Sequence, residues 1–223
     1  MCGRYSLTSP PEVITARFNL QWSQDIPARY NIAPSQKIPA IRSTESGNEL
    51  VFLKWGLIPS WNKDPNAGVK PINARAETLA SNALFRNAYR RHHCLIPADA
   101  FYEWKAMGER KQPYCIRMAD DTLFGIAGLW ELWTSPTGEA IETCTLITTN
   151  ANELMGELHS RMPVIIQPND YSVWLNSSNQ KAQELLKPFP SDLMRYYPVS
   201  TRVNNVRNDD ADCQKPYEGI VTG

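Results

Sequence analysis

The chain has 223 residues, of which 23 are basic, 23 are acidic and 42% are hydrophobic, so its formal net charge is zero. A chain of this length buries roughly 70% of its unfolded surface, enough for one domain with its own core. Charge balance excludes a uniformly polybasic nucleic-acid binder but not local segregation, and "RNAYRRHH" (86–93) is basic where "NDDAD" (208–212) is acidic.

In chain order, "SPPEVITARF" (9–18) predicts a first helix, with Ser9 and Glu12 as a capping box and proline at the first helical position. "KIPAIR" and "ELVFLKWGL" flank Ser46-Gly47-Asn48 and predict a hairpin. "NALFRNAYRR" (82–91) is an amphipathic helix with Leu84, Phe85, Ala88 and Tyr89 on one face. The runs "CLIPA", "AFYEWK", "PYCIRM", "LFGIAGLW" and "ETCTLITT" predict strands. "NANELMGEL" opens a helix with a second capping box, Asn150 and Glu153, and the strand "MPVIIQ" follows. A helical pair, "NDYSVWL" and "NQKAQELL", precedes a last strand, "RYYPVS". The strands are too closely spaced for a regular βαβ alternation, which predicts an α+β domain with a mostly antiparallel sheet or barrel.

Five cysteines, at 2, 94, 115, 144 and 213, include no CxxC pair. Neither a disulfide framework nor a zinc site is expected, and a reducing cytosol fits this usage. No apolar run approaches a membrane span. The expectation is a cytoplasmic monomer without metal or other cofactor.

The chemistry starts at "MCGRY". Trimming of Met1 next to a small residue leaves Cys2 with an α-amine beside its thiol, a 1,2-aminothiol. Such a group either captures an aldehyde or hydrolyses an amide with the amine as base. In extended chain, residues i and i+2 share a face, so Cys2 with Arg4, Asn73 with Arg75, and His159 with Arg161 each place a polar or reactive group beside a guanidinium. Arginine's planar fork suits phosphate. In "FYEWK" (101–105), alternation puts Glu103 on the face of Phe101 and opposite Tyr102 and Trp104. A carboxylate among aromatics loses hydration, which raises its pKa toward the range useful for proton transfer. His159 is suited to passing protons near neutrality, whereas His92 and His93 read as solvated or phosphate-contacting. Around "WGLIPSW" (55–61), Trp55 is assigned to the core and Trp61 to the surface, where it can stack on an unpaired base.

Taken together, "MCGRY", "RYNIAPSQ" (29–36), "WGLIPSW", "INARAET" (72–78), "CLIPADAFYEW" (94–104) and "HSRMPVI" (159–165) resemble the SOS-response-associated peptidase (SRAP) family over residues 2 to about 207. The resemblance implies a compact single α+β domain with a β-barrel-like core, a few flanking helices and a basic groove for single-stranded DNA. It implies that Cys2 captures the ring-opened aldehyde of an abasic site as a thiazolidine, with Asn73, Glu103 and His159 as catalytic helpers. Arg4, Pro34, Trp61, Arg75, Thr148 and Arg161 are implied to touch DNA. The family's peptidase label fits removal of Met1 by the protein itself. The rival amidotransferase reading of "MCG" lacks the "RGPD"- and "NGEIYN"-like segments it requires, and a non-enzymatic strand-binding module would leave Cys2 incidental. The acid cluster after Val206 argues against DNA contact by that end.

Overall fold

A computed structural model describes residues 2–21, 25–176 and 181–217. In chain order the elements are β1 (Tyr5–Leu7), α1 (Pro11–Phe18), β2 (Arg29–Ile32), β3 (Lys37–Thr44), β4 (Gly47–Trp55), β5 (Asn73–Arg75), α2 (Arg86–Arg91) and β6 (His93–Ala98). They continue with β7 (Ala100–Met107), β8 (Arg110–Met118), β9 (Phe124–Thr134), β10 (Ala140–Asn150), α3 (Glu153–Gly156), β11 (Arg161–Pro163), β12 (Ile165–Ile166), α4 (Tyr171–Leu175), α5 (Lys181–Glu184) and β13 (Met194–Pro198).

Five of these strands close on themselves. β10 pairs with β4, β4 with β3, β3 with β6, β6 with β9, and β9 returns to β10. Closure removes the unpaired edges that an open sheet of the same strands would expose. All of these pairings are antiparallel except β10–β4, and β5 also joins β10 in parallel, so the expectation of a mostly antiparallel barrel-like core holds. The tight closure needs Gly128 on β9, where an added Cβ would lie 2.9 Å from the Cys94 sulfur and 3.2 Å from the Thr145 carbonyl.

A second antiparallel sheet runs in the order β13-β8-β7-β1-β2. Tyr5 on β1 meets Trp55 on β4 edge to face, with ring centroids 5.7 Å apart, and Phe101 on β7 meets Phe124 on β9 at 6.4 Å. These aromatic contacts join the two sheets into one buried core. β6 is buried along its whole length because α4 covers it: the Trp174 indole donates to the Cys94 carbonyl at 2.8 Å and stacks on His93 at 4.0 Å. Among the described residues no helix is long and apolar enough to cross a membrane.

Several local expectations shift. The first helix is capped by Pro10, without a side-chain cap; Ser9 is drawn away by Asp99, whose carboxylate accepts from the Thr8 and Ser9 amides and both hydroxyls. A buried carboxylate outcompetes a helix terminus for the hydroxyl. The β3–β4 turn falls at Thr44–Gly47, with Gly47 at a φ of 120°. In α3 the capping residue is Asn152, whose side chain accepts from the Met155 amide at 2.8 Å, while Asn150 accepts from Arg161. His93 is buried rather than solvated, its ring nitrogens 2.8 Å from the Trp174 carbonyl and 2.7 Å from that of Tyr89. His92 is stacked on Trp130 at 4.4 Å. α2 begins only at Arg86, so residues 82–85 are turn where helix was expected; Phe85 and Ala88 are still buried and Arg86, Asn87 and Arg90 exposed. Of the expected last helical pair, α4 and α5 form, and Asn179 and Gln180 lie outside the described residues.

Candidate functional site

Antiparallel pairing of β1 with β7, in the register Tyr5↔Phe101, carries the chain's first residues alongside Glu103, and the Tyr102 amide donates to the Arg4 carbonyl at 3.0 Å. Parallel pairing of β5 with β10 brings Asn73 to the same place, where its Nδ2 donates to the Cys2 carbonyl at 2.9 Å. His159 arrives from the turn between α3 and β11. Glu103 and His159 line a cleft of about 490 Å³ with Arg4, Trp104, Lys111 and Asn204. Four residues from four separate stretches, Cys2, Asn73, Glu103 and His159, thus gather at one position.

Glu103 is 3% exposed, and that loss of hydration pushes its carboxyl pKa up, although His159 pulls it back. Cys2 is fully buried; burial first, and then the nearby Glu103 charge, push its thiol pKa up, against a lowering by the Arg4 amide. The resting group is a thiol. At His159, the Arg161 amide donates to Nδ1 at 2.9 Å, which leaves the proton of a neutral ring on Nε2. Asn73 Oδ1 is buried with no hydrogen-bond partner among the described residues. An orphaned buried acceptor costs stability.

The other predicted residues separate. Arg4 lines the cleft with its guanidinium carbon 5.8 Å from the Trp104 ring centroid. Arg75 is exposed, and its guanidinium has no hydrogen bond or ion pair among the described residues. Trp61 is 61% exposed and Trp55 is 1% exposed, as expected of each. Pro34 is partly exposed in the turn after β2. Thr148 is fully buried, which leaves no surface for a nucleic acid to touch. Arg161 is engaged within the protein: it forms a two-point pair with Glu77 at 2.7 and 2.9 Å and also reaches Asn150 Oδ1 and the Thr148 carbonyl. It thereby staples β10, β11 and the turn at Glu77.

Trp104, Lys111 and Asn204 were missed. Trp104 is adjacent to Glu103 and alternation places it on the other face, yet both line the cleft. Asn204 comes from the C-terminal stretch and accepts from the Trp104 indole at 2.7 Å; no periodicity connects the two. The acidic stretch is largely neutralised inside the fold, where Asp209 pairs with Arg29, Asp210 with Arg202 and Asp212 with Lys215. A second cleft of about 230 Å³, between Arg17, Phe124, Ile166 and Phe189, contains none of the predicted site residues.

The chain is 44% identical over 221 residues to the abasic site processing protein YoqW of Bacillus subtilis, covering 95% of this chain and 98% of that one. It is 32% identical over 194 residues to the abasic site processing protein HMCES of Gallus gallus, covering 76% of this chain and 58% of the relative. A crystal structure of a Bacteroides thetaiotaomicron protein superposes with a TM-score of 0.85 at 28% identity, covering 97% of this chain and all of the other. The model of the family described as SOS response associated peptidase (SRAP) matches residues 1–206, and the chain belongs to that family.

Proposed function

We propose that this protein processes abasic sites in single-stranded DNA by forming a covalent thiazolidine through Cys2 once Met1 has been removed. The observation that carries the reading is that Cys2, bonded to Asn73 and close to Glu103, lies beside a cleft that Glu103 and His159 line, in a chain whose relatives are named abasic site processing proteins.

An α-amine has a reference pKa of roughly 7.7–8.0, so an appreciable fraction of it is neutral at physiological pH. It adds to the aldehyde carbon of the ring-opened sugar and the carbinolamine loses water to give an imine. The Cys2 thiol then adds across the C=N bond: sulfur bonds to carbon, the thiol proton passes to nitrogen, and the five-membered ring closes with one water released overall. Glu103, with its raised pKa, relays that proton. His159, donating from Nε2, assists opening of the sugar ring, and Asn73 Oδ1 accepts from the amine or a sugar hydroxyl. Arg4 and Arg75 hold the strand's phosphates, and Trp61 stacks on a base.

The test is a denaturing gel with abasic single-stranded DNA. The protein should form a denaturant-resistant adduct, and Cys2→Ala should not. One uncleavable residue before Cys2 should abolish the adduct with folding and strand binding intact, because the amine is then an amide. Adduct formation at the normal rate by that blocked form would refute the mechanism.

A further inference from the structure

Arg4 is held by one nitrogen only. Its Nη1 donates to Asn31 Oδ1 at 2.8 Å and to the Val203 carbonyl at 2.7 Å. Nε is buried without a partner, and Nη2 makes no hydrogen bond among the described residues. The Nε–Nη2 edge is the side of a guanidinium that grips an oxyanion at two points. That edge is left without a protein hydrogen bond because Asn31 and Val203 take the other side.

Asn31 is fully buried, and its environment is built by the C-terminal stretch. Its Nδ2 is within hydrogen-bond distance of the carbonyls of Val203 (3.2 Å), Asn205 (3.1 Å) and Asn208 (2.6 Å). Asp209 Oδ1 accepts from the backbone amides of Tyr30 (2.6 Å) and Asn31 (2.9 Å), and its other oxygen pairs with the Arg29 guanidinium. Residues 203–209 therefore wrap one amide side chain. The same wrap sets Asn204 on the cleft wall, where it holds Trp104. Asn208 and Asp209 lie beyond residue 206, where the family match ends.

We propose that Asn31 and Asp209 are positioning residues that lock the C-terminal stretch onto β2 and thereby aim the Arg4 fork at a phosphate of the bound strand. This rests on the strand-binding reading above. An amide suits the position because it accepts from the guanidinium through Oδ1 while donating to carbonyls through Nδ2. The acidic stretch then serves the site by holding Arg4 and makes no contact with nucleic acid itself.

The experiment is a double-mutant cycle on affinity for undamaged single-stranded DNA across a salt series, using full-length protein. Asn31→Ala should weaken binding about tenfold, in the range of one charge-assisted contact, and flatten the log–log salt slope by about 0.7, one single-strand phosphate contact. In an Arg4→Ala background, Asn31→Ala should change neither quantity further. Asp209→Ala should move both in the same direction by less, and serves as the deciding variant if Asn31→Ala does not fold. An unchanged salt slope in the folded single variants, or losses that add to that of Arg4→Ala, would overturn the proposal. If the parent protein fails to bind single strands, the strand-binding reading itself falls.

Discussion

Asn73→Ala separates function from stability at the site. The substitution removes the Nδ2 bond to the Cys2 carbonyl, and a net hydrogen bond contributes about 1 kcal/mol. It also removes Oδ1, which is buried with no partner, and relief of such a group is worth about 1–2 kcal/mol. β5 is only three residues long and Asn73 is half-buried at its start, so the lost packing is small. The two effects nearly cancel, and the variant should unfold within about 1 kcal/mol of the parent. Adduct formation should nevertheless slow by about tenfold or more, because the acceptor that orients the amine or the sugar is gone. Urea unfolding followed by tryptophan fluorescence gives the first quantity, and a timed denaturing gel on abasic DNA gives the second. A loss above about 2 kcal/mol, or a parental adduct rate, would mean that Asn73 serves the scaffold and the orphaned oxygen has no catalytic meaning.

Glu103→Gln should slow adduct formation and remove one ionisation from its pH profile, with strand affinity nearly retained; a profile that titrates as before would exclude Glu103 as the proton relay. Burial raises the Glu103 pKa in the folded state, so its contribution to stability is fully present below the unfolded pKa and is lost as pH rises through the folded one. Glu103→Gln should therefore gain Tm relative to the parent as pH rises above the ordinary carboxylate range of about 4, which thermal melts across a pH series would check. Arg75→Ala should flatten the salt dependence of single-strand binding by about 0.7. Arg42→Ala should leave that binding unchanged and cost about 1 kcal/mol of stability, since Arg42 is tied to Glu49 and Glu142 and lies 4.6 Å from the Trp130 ring centroid. Equal effects of the two on the salt slope would reduce these arginines to general surface charge.

The sequence by itself determined the strands β3, β4, β6 to β10 and β13, but not the short β1, β2 and β5; it also determined the burial of Trp55 and the exposure of Trp61, and it singled out the set Cys2, Asn73, Glu103 and His159. The first follows from β-branched and aromatic runs between turn residues, a signal confined to neighbours in the chain. The last came from the motifs that carry the family resemblance. Tertiary structure decided what depends on long-range partners. It took Ser9 from its helix through Asp99, closed the barrel by pairing β9 with β10 and β10 with β4, and buried His93 under Trp174. It also separated three arginines that look alike in sequence: Arg75 is open to solvent, Arg161 is neutralised by Glu77, and Arg4 keeps one edge without a protein partner because Asn31 and Val203 hold the other. A guanidinium's availability depends on which oxygens stand within about 3 Å of it, and those oxygens come from residues as far as 199 positions away along the chain.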